Sequence, residues 1–176
     1  MGRGTQANPG FDNVDTPNPE SPFVVMKFGG RSVASASNWS SITDLLRERI
    51  NEGLTPVFVH SALAGISNTL EELLLAAVLD GGNEQLDRIE AVHFQLAREL
   101  NVDTALLNDH LDVLRQLVDG VRLVREANPR VHARIMATGE LLATTLGAEY
   151  LVAQGFNAQW RDARSLLESV EDINAK

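Results

Sequence analysis

Lys27 is followed by Phe28, Gly29 and Gly30, and it is the only lysine ahead of the last residue, Lys176; the remaining cations are arginines. A compact ammonium suits one phosphate oxygen in a tight turn better than a planar guanidinium does. Two consecutive glycines allow a sharp turn and carry no Cβ to hold a ligand away, so their N–H groups can face an anion. The pattern matches neither the Walker arrangement nor G-x-G-x-x-G. The plainer alternative is a strand end whose lysine reaches solvent. Further along, Ser61, Ser67 and Asn68 flank an apolar turn containing Gly65. Their hydroxyl and amide groups can hold a small polar substrate, and Ser67 can equally cap the helix that follows.

Glu140 stands in Thr138-Gly139-Glu140-Leu141-Leu142. A carboxylate among small and apolar neighbours is costly unless it is paired or reaches a cavity. It reads either as the receptor for a substrate ammonium or as a half-exposed helix acid. Asp162 and Arg164 read as an ion pair that fixes a turn. His60, at a strand end, reads as a structural residue rather than an acid or base. His93, His110 and His132 fall on separate helical stretches without i,i+4 pairing, so no protein metal site is assigned. With no cysteine and no G-x-S-x-G elbow, covalent catalysis has no candidate residue.

These groups need elements to position them. The run FVVM over 23–26 is apolar on both faces and too short for a helix, which is how a strand buried inside a parallel sheet reads. Ser37 or Asn38 can cap a helix carrying Trp39, Ile42, Leu45, Leu46 and Ile50 at helical spacing, ended by Gly53. Pro56 precedes a second strand over 57–60. A strand–helix–strand unit of this length places the two strands parallel and adjacent. Their carboxyl ends then share one sheet edge, where ligands bind in such folds, and the Lys27 turn meets the 61–68 loop there. Helical stretches follow over 68–79, 84–100, 104–127 and 130–154. The middle two read as a hairpin standing off the sheet, with the near-heptad stripe of 104–127 packing into the core. The alternating segment 156–160 predicts a third strand, and 161–167 a turn into a short helix.

Residues 1–22 are rich in Gly, Pro, Asn and Asp, so a flexible leader is expected, with the fold starting at Phe23 and a polar tail over 168–176. A hydrophobic content of 44% with 22% charged residues fits one globular domain. The net charge of −9 speaks against a nucleic-acid binder, which needs a basic face. No secretory signal and no apolar run near the ~20 residues of a membrane span is visible, so a cytoplasmic protein without a membrane partner is expected.

Val25-Met26-Lys27-Phe28-Gly29-Gly30-Arg31-Ser32-Val33 resembles the K-F-G-G-T-S-V opening of aspartate kinases, in the amino-acid kinase family. The segment from His60 to Asn68 is similar to that family's S-A-x-x-G-x-T-N loop, Thr138–Leu142 to its G-E helix motif, and Trp160–Arg164 to its D-A-R turn. The form V-H-S-A-L-x-G-x-S-N further resembles the kinase half of polypeptides that fuse aspartokinase to diaminopimelate decarboxylase. The resemblance implies an α/β, three-layer αβα fold with a mostly parallel sheet, of which 23–176 would be the N-terminal, substrate-side part carrying a helical hairpin. It implies ATP-dependent phosphorylation of the L-aspartate β-carboxylate, with Mg²⁺ arriving on ATP, and a homo-oligomer in the full-length protein.

Carried over by motif, Lys27 would be the catalytic cation on the ATP phosphates, with Gly29, Gly30, Arg31 and Ser32 on the same turn. Ser61, Ser67 and Asn68 would bind aspartate, and Glu140 its α-ammonium. Such a site works by positioning and charge neutralisation. Arg31 departs from the motif's threonine, and Ser67 replaces a threonine while keeping the hydroxyl. Family domains continue past this length with further nucleotide contacts, so little turnover is expected of the isolated chain. A kinase acting on glutamate or acetylglutamate, or a non-catalytic interaction module, are the alternatives.

Overall fold

The computed structural model describes residues 22–166; the expected leader, apart from Pro22, and the expected polar tail lie outside the described residues. Strand β1 (Phe23–Phe28) and strand β2 (Thr55–His60) pair in parallel, with Lys27 opposite Val59 and Phe28 opposite His60. Helix α1 (Ala36–Asn51) forms the crossover. Its N-cap is Ser35, whose Oγ accepts the Asn38 N–H at 3.4 Å, so the helix begins one turn-end earlier than a Ser37 or Asn38 cap would give. At its far end Glu52 closes the helix and Gly53 takes φ +82°, a left-handed conformation that glycine adopts without strain.

The strands differ from the expectation of burial on both faces. Val24, Met26 and Phe28 turn inward, while Val25, Val57 and Val59 remain 70%, 43% and 45% exposed on the opposite face. Successive strand side chains point to opposite sides. One side is covered by α1 and the core, and among the described residues the other side has no covering layer. The alternation of burial, absent from the hydropathy of the run, therefore comes from which neighbours are present.

Trp39 organises the packed side. Its indole is fully buried, donates from Nε1 to the Val33 carbonyl at 3.0 Å, and lies against the rings of Phe58, His60 and Tyr150. Helices α2 (Ile66–Val78), α3 (Asn83–Glu99), α4 (Asn108–Val124) and α5 (Pro129–Ala153) make up the rest, with a short 3₁₀ turn over Thr104–Leu107 leading into α4. Helix α2 packs against α3, α4 and α5. Of the expected stripe, Leu107, Leu111, Leu114, Val118 and Val121 are buried and Leu117 is half-buried, so these pack inward as the spacing predicts, while Val124, at the end of α4, is 65% exposed. An Arg115–Glu90 ion pair joins α4 to α3 at the surface. Helix α5 starts at Pro129, which needs no N–H at the first helical position, behind an Asn128 cap that accepts the Val131 N–H at 3.0 Å.

The predicted strand over 156–160 is not formed. Gly155, at φ +85°, turns the chain so that the Phe156 N–H donates back to the Leu151 carbonyl at 3.0 Å. Phe156 and Ala158 pack toward the core, Phe156 beneath the Arg47 guanidinium, and the Trp160 indole N–H donates to Thr144 Oγ1 at 3.0 Å. The alternation is real, but it sets side chains against helices and no strand among the described residues pairs with this backbone. The expected turn into a short helix is present as a 3₁₀ turn over Ala163–Ser165.

His93 is wholly buried in α3; its Nδ1 donates to the Ile89 carbonyl at 2.7 Å and its Nε2 has no partner among the described residues. Burial holds its pKa below the ordinary imidazole value, and the same cause acts on His60. Above the unfolded value of 6.5 both folded and unfolded forms are neutral. Below it the unfolded chain takes up protons that the folded chain refuses, so stability is retained at neutral pH and lost as pH falls. Each histidine is expected to contribute up to about 1.4 kcal/mol of lost stability per pH unit below that value. Urea titrations at neutral and mildly acid pH check this: His93→Phe should show the shallower pH dependence, and an unchanged dependence refutes the assignment.

Candidate functional site

The parallel pairing of β1 and β2 sends both chains off the same sheet edge, and the ladder runs one step further through the Ser61 N–H to the Phe28 carbonyl at 3.3 Å. Beyond it, Gly29 to Ser32 forms a turn closed by the Ser32 N–H on the Gly29 carbonyl at 2.9 Å. This turn lies directly against the loop after β2. A Cβ on Gly30 would overlap the Ala62 carbonyl oxygen and come within 3.1 Å of the Ala64 nitrogen, whereas a Cβ on Gly29 would meet nothing within 4 Å. The second glycine is thus required for space, not for an unusual φ.

Between the turn and the loop lies a cavity of about 540 Å³, lined on one side by Gly29, Gly30, Arg31 and Ser32 and on the other by Ser61 to Gly65 and Ser67. Ser61 Oγ makes only a long 3.4 Å contact with the Ala62 carbonyl. Among the described residues the side chains of Arg31, Ser32 and Ser67 carry no hydrogen bond or ion pair, so their donors are free for a ligand. Ser67 does not cap α2: Gly65, at φ +85°, occupies the cap position and Ser67 is the second helical residue. The first turn of α2 has no side-chain cap, which leaves N–H groups and the positive end of the helix dipole beside the cavity.

Helix α5 is held against this edge by two glycines. A Cβ on Gly139 would press on Ala62 Cβ at 2.9 Å, and one on Gly147 would strike the Trp39 ring at 2.5 Å and approach His60 Nε2 at 3.0 Å. Glu140, next to Gly139, is therefore carried on the helix that touches the loop. It is exposed, which removes the desolvation cost that its apolar neighbours suggest, and it does not line the cavity. Lys27 is also exposed and projects from the outer sheet face with Val25, and Asn68 sits one residue beyond Ser67; neither lines the cavity. The structure thus gathers Gly29, Gly30, Arg31, Ser32, Ser61 and Ser67 directly, and places Lys27, Asn68 and Glu140 on elements around them.

Sequence reasoning did not find the second cavity, of about 430 Å³, on the far side of the same turn, where Arg31 and Ser32 meet Phe28, Asn38, Ser41, Ile42 and Leu45. Nor did it find Gly147, whose only signal is a small residue in a helix with bulky aromatic partners elsewhere in the chain. His60 is structural, as expected: it is buried and its Nδ1 donates to the Ser61 carbonyl at 3.0 Å. Asp162 and Arg164 form the expected ion pair at 2.6 Å, and this pairing holds the Asp162 carboxyl below its ordinary pKa. Nearby, His110 Nε2 lies 3.0 Å from Thr145 Oγ1, and burial, helped by Arg164, lowers its pKa. Among the described residues no group of three or more His, Cys, Asp or Glu could hold a metal ion, and no helix is long and apolar enough to cross a membrane.

A cavity between a glycine turn and a serine-bearing loop, at the carboxyl edge of parallel strands, stands where α/β folds place their ligand sites. Residues 22–176 match the model of the amino acid kinase family, and the chain belongs to that family. It is 37% identical over 144 residues to aspartokinase 3, chloroplastic, of Arabidopsis thaliana, which covers 79% of this chain and 25% of that protein. It is 30% identical over 156 residues to the lysine-sensitive aspartokinase 3 of Escherichia coli, covering 85% and 33%. Among solved structures, E. coli aspartokinase III in complex with aspartate and ADP superposes with a TM-score of 0.70 at 30% identity, over 81% of this chain and 31% of that one. The complex of the same enzyme with lysine and aspartate gives 0.71, over 82% and 32%. The chain therefore spans about a quarter to a third of the length of these relatives.

Proposed function

We propose that this chain forms the substrate side of an aspartate kinase, which transfers the ATP γ-phosphoryl group to the β-carboxylate of L-aspartate and yields 4-phospho-L-aspartate, the first step toward lysine, threonine and methionine. The observation that supports this reading best is the shared cavity: a glycine turn with spare N–H groups faces two serines across one sheet edge. The likeness to an aspartokinase that binds aspartate and ADP supports it independently.

In this reading the Gly29–Ser32 turn faces nucleotide phosphates, with Lys27 neutralising their charge from the adjoining sheet face. Ser61 and Ser67 hydrogen-bond the amino-acid acceptor, aided by Asn68, and Glu140 receives its α-ammonium from α5. Mg²⁺ comes with ATP and is held by phosphate oxygens. The acceptor carboxylate is itself the nucleophile, so the protein's task is alignment and neutralisation, the contributions phosphoryl transfer chiefly demands. The cytoplasm, where ATP and free aspartate occur together, is the proposed location.

Titration calorimetry on the 176-residue chain tests the acceptor. L-Aspartate is expected to bind more tightly than L-glutamate or N-acetyl-L-glutamate. Glu140→Ala is expected to weaken aspartate by roughly 10- to 100-fold, since a charge-assisted contact is lost. Equal binding of all three acids, or an unaffected Glu140→Ala variant, would overturn the reading. A coupled ADP-release assay with MgATP should detect little turnover from this chain alone, because the relatives are about three times as long; robust turnover would show that this chain's own residues suffice.

A further inference from the structure

Lys27 and Arg31 are the two cations flanking the glycine pair, and the structure separates them. Lys27 leaves the sheet on its outer face and lines neither cavity. Arg31 lines both, standing on the ridge between the serine-walled cavity and the cavity against α1. Its backbone is pinned, since the Arg31 carbonyl accepts the Asn38 Nδ2–H at 2.9 Å within the turn closed by Ser32 and Gly29. Its guanidinium is exposed and, among the described residues, has no acidic or hydrogen-bonding partner. Arg47, Arg49, Arg115, Arg122, Arg125 and Arg164 have carboxylate partners, whereas Arg31, like Arg88, Arg98, Arg130 and Arg134, has none among the described residues; of these five it is Arg31 that lines the two cavities. A free guanidinium beside unengaged serine hydroxyls is a fork for two oxygens of one oxyanion.

We propose that Arg31 is a specificity-determining residue of this site, a guanidinium that clamps a carboxylate or phosphoryl oxyanion across the cavity from Ser61 and Ser67. The proposal rests on the cavity being the ligand site of the proposed function. It assigns to this turn a charge contact that the threonine of the resembling motif cannot make. The oxyanion would sit between the pinned turn and the first turn of α2, with both serine hydroxyls donating to it and the fork closing the third side. A site so equipped favours a compact acid with two charged oxygens over a neutral isostere, because the amide leaves the fork half unpaired.

Amide-resolved NMR on the full chain tests this with two probes, L-aspartate and inorganic phosphate, each added to wild type, Arg31→Lys, Arg31→Met and Arg31→Thr. Since the side chain is exposed and makes no hydrogen bond or ion pair among the described residues, all variants should melt as wild type does. Ligand-induced shifts are expected at Gly29, Gly30, Ser32, Ser61 and Ser67. Affinity should fall roughly 10- to 100-fold in Arg31→Met and Arg31→Thr and by less in Arg31→Lys, which keeps charge without the fork. Arginine-dependent binding of aspartate assigns the contact to a carboxylate, and of phosphate to a phosphoryl group. Phosphate binding that depends on Arg31 with no aspartate binding supports the clamp and counts against the acceptor reading. Aspartate binding that is indifferent to Arg31 overturns the clamp while the kinase reading stands. No binding of either probe at millimolar concentration, or shifts elsewhere in the chain, also overturns it.

Discussion

Replacing Gly30 with alanine is expected to weaken ligand binding in the cavity about 100-fold while the same change at Gly29 is tolerated. The added methyl group would occupy the space of the Ala62 carbonyl oxygen and crowd the Ala64 nitrogen and the Leu63 carbonyl carbon, at 3.1 and 3.2 Å. All three are backbone atoms held by the start of α2, where the Ile66 N–H already donates to the Leu63 carbonyl at 3.1 Å. They cannot rotate aside as a side-chain end could. The two walls must therefore move apart, which costs about 1–3 kcal/mol of stability by the usual penalty for overpacking. It also opens the spacing on which Ser61, Ser67 and Arg31 converge. A displacement of about 1 Å is enough to cost about 100-fold in a site that acts by alignment. Gly29→Ala meets open space and should bind as wild type. Comparing L-aspartate affinity and urea midpoints across the two variants decides it: equal behaviour would mean the glycine turn and the serine loop are not in the contact described.

Trp39→Ala is expected to have the largest effect on stability, a loss of about 3–5 kcal/mol. The indole is fully buried and touches two elements and the turn after β1 at once. Its ring centroid lies 5.7 Å from that of Phe58 and 5.6 Å from that of His60 on β2, and 5.5 Å from that of Tyr150 on α5. Its N–H anchors the Val33 carbonyl, just past the glycine turn. Gly147 lies so close to the ring that the helix can approach only because it carries no side chain there. Removing the indole leaves a cavity at the junction of strand, crossover helix and α5, and an unsatisfied carbonyl beside the site. Since small domains hold about 5–15 kcal/mol in all, the variant should unfold at a much lower denaturant concentration. Trp39→Phe keeps most of the apolar volume, loses the hydrogen bond, and should fall between the two. An alanine variant within about 1 kcal/mol of wild type would show that the ring is not the keystone.

Local chemistry carried much of the architecture. The β1–α1–β2 unit, the four later helices and the inward-packing stripe over 104–127 are legible because hydrophobic period and turn residues report on the chain's nearest neighbours along the sequence. Helix starts were less so: Ser35, Ser37 and Asn38 are all competent caps, and only the path of the turn from Gly29 to Val33 selects Ser35. The segment 156–160 misled because period-2 alternation records that alternate residues are buried, not what buries them. Here the partners are Arg47 and Thr144 on helices, and no strand among the described residues supplies a ladder.

For the site, residue types and motif order sufficed to nominate Gly29, Gly30, Ser61, Ser67, Lys27 and Glu140, since a strand that ends in glycines can place amide groups at an anion wherever it occurs. Which of these share a cavity is a property of three dimensions. Lys27 and Arg31 are four positions apart, yet strand alternation sends the first to the outer sheet face while the turn brings the second between two cavities. Glu140 is exposed in spite of its apolar neighbours, because the face of α5 that meets Ala62, Ile66 and Leu70 is the one that carries Gly139. The sequence by itself determined the elements, their order and the chemical inventory of the carboxyl edge, because these depend on interactions a few residues apart. Only the tertiary structure decided that Gly30 is needed for space, that Gly147 admits Trp39, and that the cavity's own cation is Arg31, because each depends on distances between segments that no local pattern encodes.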